Sequence, residues 1–300
     1  MTVLDTPTLT TGDPVSGSWA AASPWKRAAR RFIRQPAGII GTLIFLLYAL
    51  MAIAPSLLAP HNPDQIFASA TLQKPTGRFL FGTDPIGRDV LSRVIYGARP
   101  SMIVGCVAVG IGALVGAFSG LAAGFYDNHV TNAIMRVWDG VFAVPAIVLG
   151  LILAATFGPG VTVVAVAVGI AAAPHLARVS RSASLGESNL GYVEAAEALG
   201  YPRWRIFLVH VLPNSLSPII VQLALTMAFA ILLESALAFL GVSVQPPQAS
   251  WGAMLADSRD YLSSGWWYGL FPGLAITILV FAVNLLADAA RDAFDPRADR

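Results

Sequence analysis

Charge is absent from five long stretches of this chain: residues 38–59, 100–126, 140–177, 206–233 and 261–287 contain no Asp, Glu, Lys or Arg. A helix rising 1.5 Å per residue needs about 20 apolar residues to cross a hydrocarbon layer roughly 30 Å thick. Each stretch meets that length, and 140–177 is long enough for two spans. Gly158-Pro159-Gly160 interrupts it with a turn signal, so the pattern predicts spans over 138–157 and 161–177 joined by a tight hairpin. The expectation is an all-α membrane protein with six transmembrane helices, and an even count puts both termini on one side.

Composition agrees. Of 300 residues, 56% are apolar and 12% charged, against roughly 25% charged in a soluble domain. That charge density excludes a soluble enzyme, a disordered chain and a nucleic-acid binder. The net charge of +2 gives no general field for polyanions. Cys106 is the only cysteine, which excludes an internal disulfide and a cysteine-cluster metal site.

Basic residues set the orientation. Thirteen fall on one side of the six spans, among them Lys26, Arg27, Arg30, Arg31 and Arg34 beside the first span, and six on the other. Both termini are therefore expected in the cytoplasm. The apolar run after that basic cluster is 22 residues long, too long for a signal-peptide core of about 7–15, so it reads as a retained anchor. The expected organisation is a cytoplasmic tail over 1–35, a first span over 36–59 and an extracytoplasmic segment over 60–99. A five-helix core follows over 100–288, with a cytoplasmic loop at about 186–213, and a cytoplasmic tail closes the chain over 289–300. Residues 1–24 are rich in Thr, Ser, Pro and Gly, a composition that buries no core.

Local signals refine this picture. Asp89 is placed to cap a helix and to pair with Arg93 one turn later. Gly112, Gly116, Gly120 and Gly124 recur every four residues in the second span, a spacing that keeps them near one helix face for close packing, within the bundle or against a partner. Trp266, Trp267 and Tyr268 read as an interfacial aromatic belt. Gln222, Thr226 and Glu234 are polar candidates either to face a pathway or to sit at a helix end or bond between helices, with Glu234 expected near the outer interface. The chain has only two lysines, Lys26 and Lys74, and neither sits in a phosphate-binding loop. Its four histidines, 61, 129, 175 and 210, show no ligand spacing. No carboxylate lies at mid-depth in a span, which argues against an ion-coupled carrier. A membrane hydrolase would need a base beside Cys106 or Ser119, and the sequence places none there.

Residues 192–213 carry the most specific signal. Tyr192, Ala195, Ala196 and Leu199 recur at helical spacing, Gly200 stops that helix, and Pro202 suits the first turn of the next. A short helix, a turn and a second helix are expected against the membrane, either as a packing element or as a docking site for a cytoplasmic partner. Glu194, Ala195, Ala196, Gly200, Leu212 and Pro213 stand at the spacings of the EAA loop, so the segment resembles that of binding-protein-dependent ABC importer permeases. His210 departs from the general pattern, and His210-Val-Leu-Pro-Asn214 is similar to the peptide-importer branch. Phe81–Asp89, Glu234–Gly241 with Ser250–Gly252, and Asn284–Arg297 resemble further signatures of the C-type permease of the dipeptide/oligopeptide (peptide/nickel) importer family.

The resemblance implies a type I ABC importer permease fold and a place in a larger machine in the bacterial cytoplasmic membrane. This chain would form the pathway with a second, homologous permease. Two cytoplasmic ATPase subunits would bind ATP and Mg, and an extracytoplasmic substrate-binding protein would deliver cargo. The chain itself would carry no catalytic residue, cofactor or metal. Its ATPase-coupling loop would comprise Glu194, Ala195, Ala196, Leu199, Gly200, His210, Leu212 and Pro213. The cargo would be di- or oligopeptides, although the same branch also includes importers of nickel complexes, glutathione and some sugars. The reading from another class is an ATP-independent carrier or channel, which would show internal repeats or charged residues within the spans.

Overall fold

A computed structural model describes residues 30–294 of the chain. The expected tail over 1–24 lies outside the described residues, as do 295–300 and the charges Lys26, Arg27, Arg297 and Arg300. Among the described residues the architecture is helical, with one isolated extended pairing between Thr83 and Asp89.

Helix α1 (Pro36–Ile53) has proline in its first turn and ends at Ala54, where φ is −129°. Pro55 disfavours helical backbone in the residue before it, so the stretch expected as one span to residue 59 breaks there and a separate turn, Pro55–Leu58, follows. Helix α2 (Val90–Ile111) starts well before the charge-free stretch. Its cap is Asp89, whose carboxylate accepts from the Ser92 amide at 3.0 Å. The expected Asp89–Arg93 pair does not form. Asp89 is taken up by Ser92 and by His61 Nδ1 at 3.4 Å, whereas Arg93 turns toward Asp64 at 3.4 Å and Asp84 at 4.0 Å. Arg93 is buried within the fold, so its charge does not mark a water boundary.

From α2 the chain runs without interruption through a π-helical segment, Gly112–Ala117, into α3 (Phe118–Tyr126). Helix α4 (His129–Phe142) opens on a capping box between Asn128 and Thr131. Helix α5 (Ala146–Phe157) follows at an 86° bend. The expected straight span over 138–157 is thus broken at residues 143–145, where Pro145 removes a helical donor and restricts Val144. Helix α6 (Val161–Ser188), α7 (Gly191–Ala198), α8 (Arg203–Ile206), a second π segment (Phe207–Val211) and α9 (Leu212–Phe239) come next. Helices α10 (Trp251–Ser258) and α11 (Trp266–Phe294) complete the order. Among the described residues five helical runs are long and apolar enough to cross a membrane, and the bent α4–α5 pair, taken as one span, makes six.

Helix α6 is the centre of the bundle and packs against α2, α3, α5 and α9, while α11 lies between α9 and α1. The glycine series determines how closely α6 approaches. A Cβ added at Gly116 would sit 2.5 Å from the Ala173 carbonyl oxygen, and one at Gly124 would sit 2.5 Å from that of Arg181. Gly120 meets the Ala177 carbonyl and Gly112 the Leu176 side chain in the same way. Backbone therefore rests on backbone, and the contacts offset the intrinsic helix cost of about 1 kcal/mol per glycine.

One end of the bundle is closed by a folded cap. The buried Asp84 carboxylate accepts from the amides of Ile86 and Arg88 at 3.0 and 2.9 Å and from Arg88 Nε at 2.6 Å. Trp251 Nε1 donates to the Val94 carbonyl at 2.8 Å, and Trp267 Nε1 to the Thr83 carbonyl at 3.0 Å. Of the expected aromatic belt, only Trp266 is exposed. Trp267 and Tyr268 are interior, because each polar tip finds a partner inside the cap, Tyr268 through Asp257 at 3.3 Å. The 158–160 hairpin joins the same end through Gly160 N to the Val242 carbonyl, at 3.3 Å.

Candidate functional site

The opposite end carries α7, held between the C-terminus of α6 and the N-terminus of α9. Its eight residues end in a paired-bond cap: Tyr201 N donates to the Ala196 carbonyl at 3.2 Å and Gly200 N to that of Glu197 at 2.9 Å. This closure needs left-handed backbone at the residue after the cap, and Gly200 supplies it with φ +78°. Pro202 then caps α8 in extended backbone.

The buried side of α7 differs from the expected Tyr192, Ala195, Ala196 and Leu199 stripe. Val193 and Ala196 are buried, in one apolar cluster with Ile206, Phe207, Val211, Leu176, Phe125 and Leu121. Tyr192, Glu194, Ala195 and Leu199 are exposed, Leu199 at 78%. The short helix needs only two inward residues one turn apart to seat it, and this frees the rest of the apolar stripe. Trp204 adds a second large apolar side chain, 60% exposed, directly after the turn. The surface is therefore a rigid, small-residue ridge flanked by Leu199 and Trp204, with a carboxylate at Glu194.

Contacts from Tyr192, His210, Arg203 and Leu212 hold the ridge in place. Tyr192 donates its hydroxyl to Glu187 at 2.6 Å and accepts from Asn214 Nδ2 at 3.3 Å, linking α6, α7 and α9. Burial, reinforced by the Glu187 bond, pushes its phenol above the ordinary tyrosine range. The His210 ring stands 6.2 Å from that of Tyr192. Arg203 donates to the Phe125 carbonyl at 3.3 Å, lies 5.1 Å over the Phe125 ring, and faces Glu197 at 3.5 Å. Leu212 packs against the apolar cluster and Pro213 occupies the first turn of α9.

The three polar residues singled out within the span separate in space. Gln222 is half-buried and reaches a cavity between α6, α9 and α11. Thr226 is buried beside the Gly112 backbone. Glu234 faces no opening: it is fully buried, with Ser101 donating to one carboxylate oxygen at 2.7 Å and Ser243 to the other at 3.2 Å. It ties α2 to α9 and to the loop beyond it.

An EAA-spaced helix, a positive-φ glycine and a proline-capped second helix, all at the foot of long apolar spans, agree with the family whose pattern the chain matches. That family is described as the inner membrane component of binding-protein-dependent transport systems, and the match covers residues 112–300. The chain belongs to it. Residues 23–75 also match the N-terminal membrane domain of oligopeptide transport permease C. The di/tripeptide transport system permease protein DppC of Pseudomonas aeruginosa is 40% identical over 281 residues, covering 92% of this chain and 93% of that protein. The dipeptide transport system permease protein DppC of Escherichia coli is 42% identical over 272 residues, covering 89% and 91%. Among solved structures, the methionine ABC transporter MetNI in an inward-facing conformation aligns with a TM-score of 0.56 at 17% identity. The alignment covers 68% of this chain and 96% of that one.

Within this permease, the contacts that sequence patterns missed are the ones between distant segments. Tyr192 with Glu187 and Asn214, and Arg203 with Phe125, carry no spacing signal, because their partners lie on three different helices. The only available hint is the crowding of aromatic and charged residues at 187–205.

Proposed function

We propose that this chain is one of the two permease subunits of an ATP-driven importer of di- and oligopeptides, with both termini in the cytoplasm. A second permease completes the pathway, two separate cytoplasmic ATPase subunits bind ATP and Mg, and an extracytoplasmic binding protein delivers the peptide. The observation that carries this reading is α7, seated on Val193 and Ala196 while Glu194, Ala195 and Leu199 stay exposed. The relatives named for di- and tripeptide transport support the cargo class. In this reading the α7 ridge sits in a groove of an ATPase subunit. Closure of the ATPases pushes a short rigid helix, which transmits displacement to α6 and α9 instead of absorbing it.

Purification of the tagged chain from native membranes, with its companions identified and counted by mass spectrometry, tests the assembly. Two ATPase chains and a related permease are the expected result. Repeated recovery of this chain alone would sink the reading in favour of a carrier or channel. Gly200→Pro and Glu194→Lys should each lower peptide uptake and its coupled ATP hydrolysis while leaving the chain in the membrane. Normal uptake in both would remove α7 from the coupling path.

A further inference from the structure

Near the α7 end, a cavity of about 410 Å³ opens between α6, α9 and α11. That size falls within the roughly 300–1,000 Å³ of small-molecule sites. Its apolar wall includes Val179, Val221 and Leu225, and its polar groups are Ser217, Gln222 and Arg291, drawn from α9 and α11. One guanidinium, one amide and one hydroxyl against an apolar wall that also includes Pro218 and Phe294 suit a ligand with one carboxylate, a neighbouring amide and a small apolar side chain.

Arg291 supplies the anionic preference. It stands in the last turn of α11 and forms no ion pair among the described residues. Of the carboxylates beside it in sequence, Asp292 accepts from Gln35 at 3.3 Å and Asp288 does not line the cavity, while Asp295 lies outside the described residues. A guanidinium binds a carboxylate through two parallel N–H donors, and Arg291 is exposed at the cavity mouth, where an anion can reach it.

We propose that Ser217, Gln222 and Arg291 form a carboxylate-accepting subsite for a small peptide, engaged as the cargo leaves the spans. This inference rests on the peptide-permease reading. Arg291 takes the C-terminal carboxylate, Gln222 and Ser217 bond the adjacent peptide group, and Val179, Val221 and Leu225 flank the side chain. The subsite selects for a free C-terminus and, through its apolar wall, for a small apolar side chain beside it.

The test uses the nucleotide-free complex purified from native membranes. Equilibrium binding of alanyl-alanine and of its C-terminal amide is measured for the native chain, Arg291→Gln, Arg291→Lys and Gln222→Leu, alongside ATP-driven uptake in vesicles. Loss of a charge-assisted pair predicts that Arg291→Gln weakens alanyl-alanine about ten- to a hundredfold. The amide, lacking the anion, should change little, and Arg291→Lys should recover part of the loss. Gln222→Leu should weaken both ligands alike. Equal binding of alanyl-alanine by the native chain and Arg291→Gln overturns the subsite, whatever uptake does, and so does undetectable binding to the native complex. Arg291-dependent binding without any uptake would leave the subsite standing and overturn the peptide-import reading instead.

Discussion

Gly200 shows how much one backbone angle decides. Nothing lies within 4 Å of a Cβ placed there, so space does not require glycine; the φ of +78° does. Gly200→Ala should therefore destabilise the α7 cap by about 1–2 kcal/mol, read as faster hydrogen exchange of the Gly200 and Tyr201 amides with little change elsewhere. Tyr192 offers a pH test. Its raised phenol pKa means the folded state holds the proton more tightly than the unfolded chain does. The stabilisation is complete below the unfolded value near 10 and is lost as pH rises through the higher folded value. Exchange protection around α7 should thus stay flat from about pH 6 to 9 and fall at more alkaline pH. Tyr192→Phe, which loses both bonds, should abolish that alkaline step; persistence of the step would assign it to another group.

At the scale of elements, the glycine series fits the π segment that joins α2 to α3. Four-residue steps drift by about 40° each around an ideal α-helix, or about 120° from Gly112 to Gly124. All four nevertheless face α6. The π segment at 112–117 fits an additional residue into its turn and takes back much of that drift. Gly120→Val should push α3 from α6 at the Ala177 carbonyl, costing at least the 1–3 kcal/mol of an overpacked core. Folded yield and thermal midpoint in detergent are the measures. The Gly112–Gly124 series and the Gly200–Pro202 stop were both legible in sequence, because each is a local repeat or a local turn. The break at 143–145 was less so: a charge-free run reports length, and only Pro145 hinted that α4 and α5 part company. Interior Trp267 and Tyr268 read as an interfacial belt for a similar reason, since composition does not distinguish a lipid-facing aromatic from one bonded to Thr83 or Asp257.

For the whole molecule, the cap and the α7 ridge lie at opposite ends of the same bundle. The cap rests on the i,i+4 pair of Arg88 with Asp84 and on contacts that no helical spacing displays, Asp84 and Asp64 both meeting Arg93. Asp84→Ala leaves Arg93 and Arg88 without that carboxylate and should cost about 3–5 kcal/mol, exposing residues 60–89 to protease before the spans unfold. If protease cuts there no faster than in the native chain, the ion pairs do not hold the cap. The contact that the π segment and α3 make with α6 has a mechanical consequence. Gly116, Gly120 and Gly124 meet Ala173, Ala177 and Arg181 at one constant offset, so the two helices run parallel and engage like the teeth of a rack. Sliding by a fraction of a turn would drive one backbone into the other, and the next free position is a whole turn of about 5.4 Å away. In the proposed coupling, force entering where α7 joins α6 would be carried along a strut of two locked rods and reach the far end as movement of the pair, not as shear between them.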